Sequence, residues 1–247
     1  MLWLPFGQYE FLVEHWMKIG TYAAPFLLFG VLAMRDQHAT RPLHADFKVL
    51  SVGLLVAYIL HQYEEHWIDF FGNHYAFLGY INGLFARLGG CEARSPCPLT
   101  PAAIFVINTS LVWLVGVLAI WRAPSHLFPA LAMAGIVVVN AVAHIAPAVL
   151  RQEYNPGLLT ALVLFIPAGL FFYRQVVRVD ARYKKQAAIS VIWAVLAHVL
   201  MVGGMLLANL LTLIPESVYF LVLIAWSCVP LLLFRGTEGE PVGGCSQ

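Results

Sequence analysis

Long runs of apolar residues alternate along this chain with short polar breaks in which the basic residues collect. A membrane-spanning helix needs about 20 mostly apolar residues. Seven stretches come close to or exceed that length: 9–34, 48–69, 101–121, 126–149, 156–176, 187–212 and 217–234. The pattern predicts an all-α fold, a polytopic membrane bundle of about seven transmembrane helices. No internal repeat and no linker divides the chain, so 1–235 reads as a single transmembrane helical domain. The stretch 70–100 breaks the pattern. Its segment FFGNHYAFLGYINGLFARLGG is aromatic and amphipathic, yet too polar and too Gly-broken to span, and predicts an interfacial segment or lid. The final stretch, 236–247, is polar and Gly-rich and predicts a disordered cytoplasmic tail.

Composition agrees. Charged residues make up 11% of the chain, against about 25% in soluble domains, which excludes an ordinary soluble protein. A net charge of +1 gives no reason to expect nucleic acid; membrane lipids are the surrounding partners. The first residues, MLWLPFGQYE, lack the basic start and cleavage site of a removable signal. Basic residues set orientation. Arg35, Arg41, Lys48, Arg122, Arg174, Arg178, Arg182, Lys184, Lys185 and Arg235 fall on one side, against Arg87, Arg94 and Arg151 on the other. This predicts the N-terminus outside and the C-terminus inside. The setting that fits is the inner membrane of a bacterium. An outer compartment permits a disulfide between Cys91 and Cys97, six residues apart, while Cys228 and Cys245 read as bystanders. Tyr9, Trp16, Trp67, Tyr75, Tyr154 and Tyr219 fall near the outer boundary and read as interfacial anchors.

Against this apolar background one stretch stands out. HQYEEHWIDF, 61–70, directly follows the uncharged run SVGLLVAYIL. In the predicted topology His61, Glu64 and Glu65 lie in the outer half of the second helix. Asn140 and His144 lie in the outer half of the fourth, Glu14 and His15 in that of the first, and His198 near the middle of the sixth. The fifth opens with Asn155-Pro156-Gly157, an N-cap followed by proline at the first helical position. Its positive end would face an anionic group in the same region. A charged group in a bilayer costs at least ~2.5–3.5 kcal/mol and turns toward partners in the bundle. The shared depth therefore predicts one polar site in the outer half. His66 and Asp69 turn away from the His61 face and read as interfacial, and His38 and His44 sit in an inner loop with no site.

Imidazole and carboxylate one helical turn apart, as in His61 and Glu65, suit a metal. His144 and His198 complete a three-histidine set, which makes the expected ligands His61, Glu65, His144 and His198. Glu65 stacks over His61 and is the better placed ligand. Glu64, on the other flank, is expected to transfer protons or to support the ligands from the outer shell. Glu14 and Asn140 complete the expected catalytic set. Nitrogen and oxygen donors without a thiolate suit zinc, iron or manganese. The expected cofactor is one or two divalent ions, zinc or iron.

His61-Gln62-Tyr63-Glu64-Glu65 resembles the signature of the multi-pass membrane family named after its HXXEE motif. The resemblance implies that His61, Glu64 and Glu65 act together, and supplies no substrate. The leading function is an intramembrane metal-dependent hydrolase acting on a lipid or other amphiphile. A di-iron hydroxylase or desaturase, with Glu14, Glu64 and Glu65 as carboxylate ligands, is the second reading. A transporter of metal or protons is the third, and it requires polar residues continuing to the inner face. A retinal protein is excluded, because the last span has no lysine.

Overall fold

The computed structural model of the chain describes residues 6–35, 42–87, 91, 97–123 and 125–235. The expected tail 236–247, and Arg41, Arg94, His38 and Cys245, lie outside the described residues.

The chain is helical throughout the described residues, with a single antiparallel bridge between Ile68 and His74. We number the helices α1 (Phe6–Ala33), α2 (Phe47–His66), α3 (Ala76–Arg87), α4 (Pro101–Arg122), α5 (Phe128–Arg151), α6 (Leu158–Val179), α7 (Tyr183–Leu210) and α8 (Glu216–Leu231). Within these, α1, α4, α5, α6 and α7 are long and apolar enough to cross a membrane. The helix α2 has the length, but the polar residues at its C-terminal end lower its hydropathy, and α8 is shorter. The seven expected stretches thus coincide with seven helices, five of which meet the requirement for a span.

At the centre lies α5. Every residue from Phe128 to Val137 is buried, and α5 packs against α2, α4, α6 and α7. Small residues permit these approaches. A Cβ on Gly135 would lie 2.7 Å from the Ser190 carbonyl oxygen of α7, the close backbone contact expected where helices associate in lipid. Large apolar side chains point the other way: Phe26 and Phe29 on α1, Val163 on α6, Val199 on α7 and Leu221 on α8 are exposed. Apolar surface on this scale marks a lipid-facing protein.

Two devices close the end of the bundle where α2 terminates. Asp69 accepts from the backbone N–H groups of Phe71 and Asn73 and from Asn73 Nδ2, turning the chain sharply after α2. The helix α3 then lies over the bundle, with Phe77, Leu78, Ile81 and Phe85 against the core. Asn82 fastens it to the start of α4, donating to the Leu99 carbonyl at 2.9 Å and accepting from Leu99 N–H at 3.2 Å. Cys91 and Cys97 form the expected disulfide. The segment after α2 therefore carries a short helix packed against the bundle.

Several expected anchors have other roles. Trp16 and Tyr219 are buried; Trp16 packs on His66 and Trp113, and the Tyr219 hydroxyl donates to the Met201 carbonyl. Residue type alone does not separate an aromatic ring at the headgroups from one packed between helices. Tyr75 is exposed, and Lys18 lies over the Trp67 ring at 5.3 Å. The side chain of Tyr9 lies outside the described residues.

Candidate functional site

The last two turns of α2 bring His61, Gln62, Glu64, Glu65 and His66 into the interior, all of them buried. Around them stand the C-terminal half of α5, the turn between α5 and α6, and the first residues of α6.

Glu65 is the hub. Its Oε1 lies 3.0 Å from His144 Nε2, and its Oε2 lies 3.4 Å from His61 Nε2 and 3.3 Å from His66 Nε2. Among the described residues, the ligating atoms of buried His61, Glu65 and His144 fall within 4.8 Å of one another. His66, turned away from the His61 face as the helical angle requires, is reached by the second carboxylate oxygen. An interfacial reading of His66 does not fit: its ring is buried, lodged between Trp16 at 5.3 Å and Phe77 at 5.0 Å.

The hydrogen bonds behind these residues fix their tautomers. The Thr160 hydroxyl donates to Glu64 Oε2 at 2.5 Å. A hydroxyl has one proton to give, so its oxygen accepts from Nδ1–H of His61 at 2.8 Å. On the other histidine, Asn155 Nδ2 donates to the His144 carbonyl at 2.9 Å. That orients Asn155 Oδ1 to accept from Nδ1–H of His144 at 2.7 Å. Both imidazoles thus spend their Nδ1 proton outward and turn an Nε2 lone pair inward, toward the Glu65 carboxylate. His144 Nε2 and Glu65 Oε1, two acceptors facing one another across 3.0 Å, call for a cation, a proton or a metal ion, between them, while at His61 Nε2 the Asn140 amide supplies a donor. The spacing suits a metal: in a tetrahedral site with bonds of about 2.0–2.1 Å, neighbouring ligand atoms lie about 3.4 Å apart. Outward Nδ1–H donation is also how metal-bound histidines are held. Asn140 completes this layer, donating through Nδ2 to His61 Nε2 at 3.1 Å.

Glu64 faces a different environment. It accepts from the Tyr154 hydroxyl at 2.9 Å, Leu159 N–H at 3.1 Å, Thr160 N–H at 2.7 Å and the Thr160 hydroxyl. All four partners are donors. The positive N-terminus of α6 therefore receives an anionic group, as the sequence suggested, and that group is the chain's own Glu64. Asn155 does not cap α6 through its side chain; Gly157 holds the cap position and Asn155 positions His144. Tyr154, expected as an interfacial anchor, also accepts from Phe70 N–H, tying the turn after α2 to the same carboxylate.

Gly157 sits over the cluster with φ +96. A Cβ there would lie 2.7 Å from His61 Cε1, 2.8 Å from His144 Cε1 and 2.9 Å from Glu65 Cγ. The positive φ and the close approach both call for glycine. Immediately after Thr160 the helix widens into a π-turn over Ala161–Phe165, and α4 does the same over Asn108–Leu114. Such turns often mark functional sites. The second carries Asn108, which accepts from Gln62 Nε2 at 2.9 Å and lies 3.4 Å from His66 Nε2, while Trp113 donates to Gln62 at 2.9 Å. The H, Q, E, E and H of HQYEEH are thus all engaged inside the bundle.

Two expected residues lie apart from this cluster. His198 donates through Nδ1 to the Ala194 carbonyl of its own helix at 2.8 Å and is not in the three-residue group. Glu14 is exposed, because α1 turns Trp16 and Met17 inward instead. Thr160, Gly157, Tyr154, Asn108 and His66 join the site without having been expected there. Asn155 at the start of α6 was the one sequence signal pointing to this turn.

Residues 52–172 match the family described as "Protein of unknown function with HXXEE motif". The matched segment contains His61, Glu64, Glu65, His144, Asn155, Gly157 and Thr160, and ends within α6. No curated protein and no solved structure matches the chain.

Proposed function

We propose that this chain, matched over 52–172 to the HXXEE family, is an intramembrane metal-dependent hydrolase acting on a lipid or other amphiphile. The observation that carries the reading is the convergence of two Nε2 lone pairs on one buried carboxylate, from helices far apart in sequence. Two histidines and a glutamate are a ligand set of catalytic zinc sites. A divalent ion held there supplies Lewis acidity toward water and carbonyl oxygens. The chain does the rest. Glu64, through Thr160, keeps the His61 lone pair aimed inward, and Asn155 does the same for His144. Asn140 offers an amide donor beside the ligands, where a developing oxyanion can be stabilised. His66 touches Glu65 on one side and a cavity on the other, which suits it to carry a proton between them.

The engagement of Glu64 by four donors, and the exposure of Glu14, support one metal ion over a pair bridged by carboxylates. A passage for transported ions finds little support. Beside His61 stand the rings of Phe165 at 4.2 Å and Tyr58 at 5.6 Å, and Phe172, Leu131 and Val137 are fully buried in the core. In the proposed topology seven helices span and the site faces the outer side. A tag after Gln247 should resist protease added to sealed right-side-out vesicles; cleavage from outside would reverse the orientation.

Metal content tests the central claim. Purified protein is expected to carry about one zinc per chain, and His61→Ala and His144→Ala to lower its zinc affinity by more than the about 10–100-fold typical of outer-shell losses. His198→Ala should leave it unchanged. Metal retained in both of the first two variants would reject the site. Iron in place of zinc, with oxygen consumption, would favour the oxidative alternative.

A further inference from the structure

A cavity of about 580 Å³ opens between α1, α2, α3 and the start of α4. Its size falls within the about 300–1,000 Å³ usual for small-molecule sites. The inner wall is built from buried Trp16, Met17 and His66, and the rim carries exposed Glu10, Glu14 and Tyr75. Among the described residues, everything else that lines it is apolar. At its inner end His66 is one contact from the candidate metal cluster, its Nε2 lying 3.3 Å from Glu65 Oε2.

Charge distinguishes this cavity from a plain hydrocarbon groove. Glu10 and Glu14 are one helical turn apart on α1 and share its rim. Among the described residues neither has an ion-pair partner; Lys18, the next charge along α1, is turned to the Trp67 ring instead. The rim is therefore negative, the walls apolar, and the inner end a single imidazole. An anionic amphiphile such as a fatty acid meets like charge at the rim. A neutral chain gains nothing from it. An amphiphile carrying an amine places its cation between the two carboxylates and beside the Tyr75 ring, and its apolar body against Trp16 and Met17.

We propose that this cavity binds an amine-bearing amphiphile, ammonium at the Glu10–Glu14 rim and hydrocarbon within, and delivers it to His66. The proposal rests on the hydrolase reading for what happens next and names its substrate class. The binding step can be tested alone. In nonionic detergent, full-length protein is titrated with a primary alkylamine brominated on its chain, and with the fatty acid and alcohol of the same length. Quenching of tryptophan fluorescence reports occupancy, since bromine quenches only at close range. The amine is expected to bind at least about tenfold tighter than the acid. Trp16→Phe should remove most of the quenching, and Glu10→Gln with Glu14→Gln should bring amine and alcohol to equal affinity. Equal binding of all three probes would reduce the cavity to a generic lipid groove and overturn the proposal. So would selectivity that survives the double substitution, or quenching that survives Trp16→Phe. The titration is repeated in His61→Ala. Selective amine binding there, whatever the metal content, keeps the cavity proposal independent of the metal reading.

Discussion

Glu65→Gln is expected to abolish metal binding at the proposed site and to leave the helices in place. Three histidines converge on this carboxylate, at 3.0, 3.4 and 3.3 Å. A carboxamide supplies neither the charge nor the second oxygen acceptor that the cluster uses. Its NH2 can instead donate to an inward Nε2, so the metal-free bundle loses little. Metal affinity is expected to fall by more than the about 10–100-fold of outer-shell changes, with a melting temperature close to that of metal-free parent protein. Glu64→Gln should behave in the opposite way. Whichever way its amide turns, an NH2 group meets N–H and O–H donors that Glu64 now satisfies. A buried donor left unsatisfied costs about 1–3 kcal/mol. His61 also loses the anchored hydroxyl that fixes its tautomer. Lower stability is therefore expected, with a metal affinity reduced but not abolished. Metal titration and thermal unfolding of both variants, each with and without added zinc, separate the two roles. Retention of metal by Glu65→Gln, with loss in a fully stable Glu64→Gln, would exchange them.

The part of this site that was legible in the sequence is the part set by helical geometry. His61 and Glu65 stack because they are four residues apart, and His144 shares their depth because α2 and α5 run the same way. What depth cannot supply is rotation. His198 lies on α7, whose two sides are both apolar because one faces lipid and the other faces packed helices. No polar stripe then tells which side meets the bundle. Glu14 shows the same limit on α1. His66 was misread for a subtler reason. Its helical angle does separate it from His61, but a single oxygen, Glu65 Oε2, lies between the two rings, 3.4 Å from His61 Nε2 and 3.3 Å from His66 Nε2.

The turn between α5 and α6 was the least legible element. Tyr154, Asn155, Gly157 and Thr160 all contribute to the site, yet read in sequence as an anchor, a cap, a helix start and an unremarked hydroxyl. Their roles depend on the sign of one backbone angle. With Gly157 at φ +96, the chain folds back so that the first N–H groups of α6 meet Glu64 and the Thr160 hydroxyl meets His61. A sequence suggests that a glycine here is permissive; only the fold shows what it must permit.

Gly157→Ala should therefore cost the protein its metal, through two separable effects. The first is conformational: a side chain at positive φ costs about 1–3 kcal/mol. The second is steric, since the new methyl would come within 2.7–2.9 Å of His61, His144 and Glu65, all three expected ligands. These groups are held from behind by Thr160, Asn155 and the α2 backbone, so they cannot move apart without breaking the bonds that orient them. Gly72 provides the control. It has φ +83 in the turn after α2, and nothing lies within 4 Å of a Cβ built there. Gly72→Ala should carry a similar backbone cost and keep full metal affinity. Gly157→Ala should be less stable still and lose metal affinity by about 100-fold or more, a larger loss than outer-shell changes give. Zinc titrations on the two variants, compared with their melting temperatures, decide the matter. Equal metal affinity in both would mean that the turn merely connects two helices. A loss confined to Gly157→Ala would establish that this glycine sets the space in which His61, His144 and Glu65 meet.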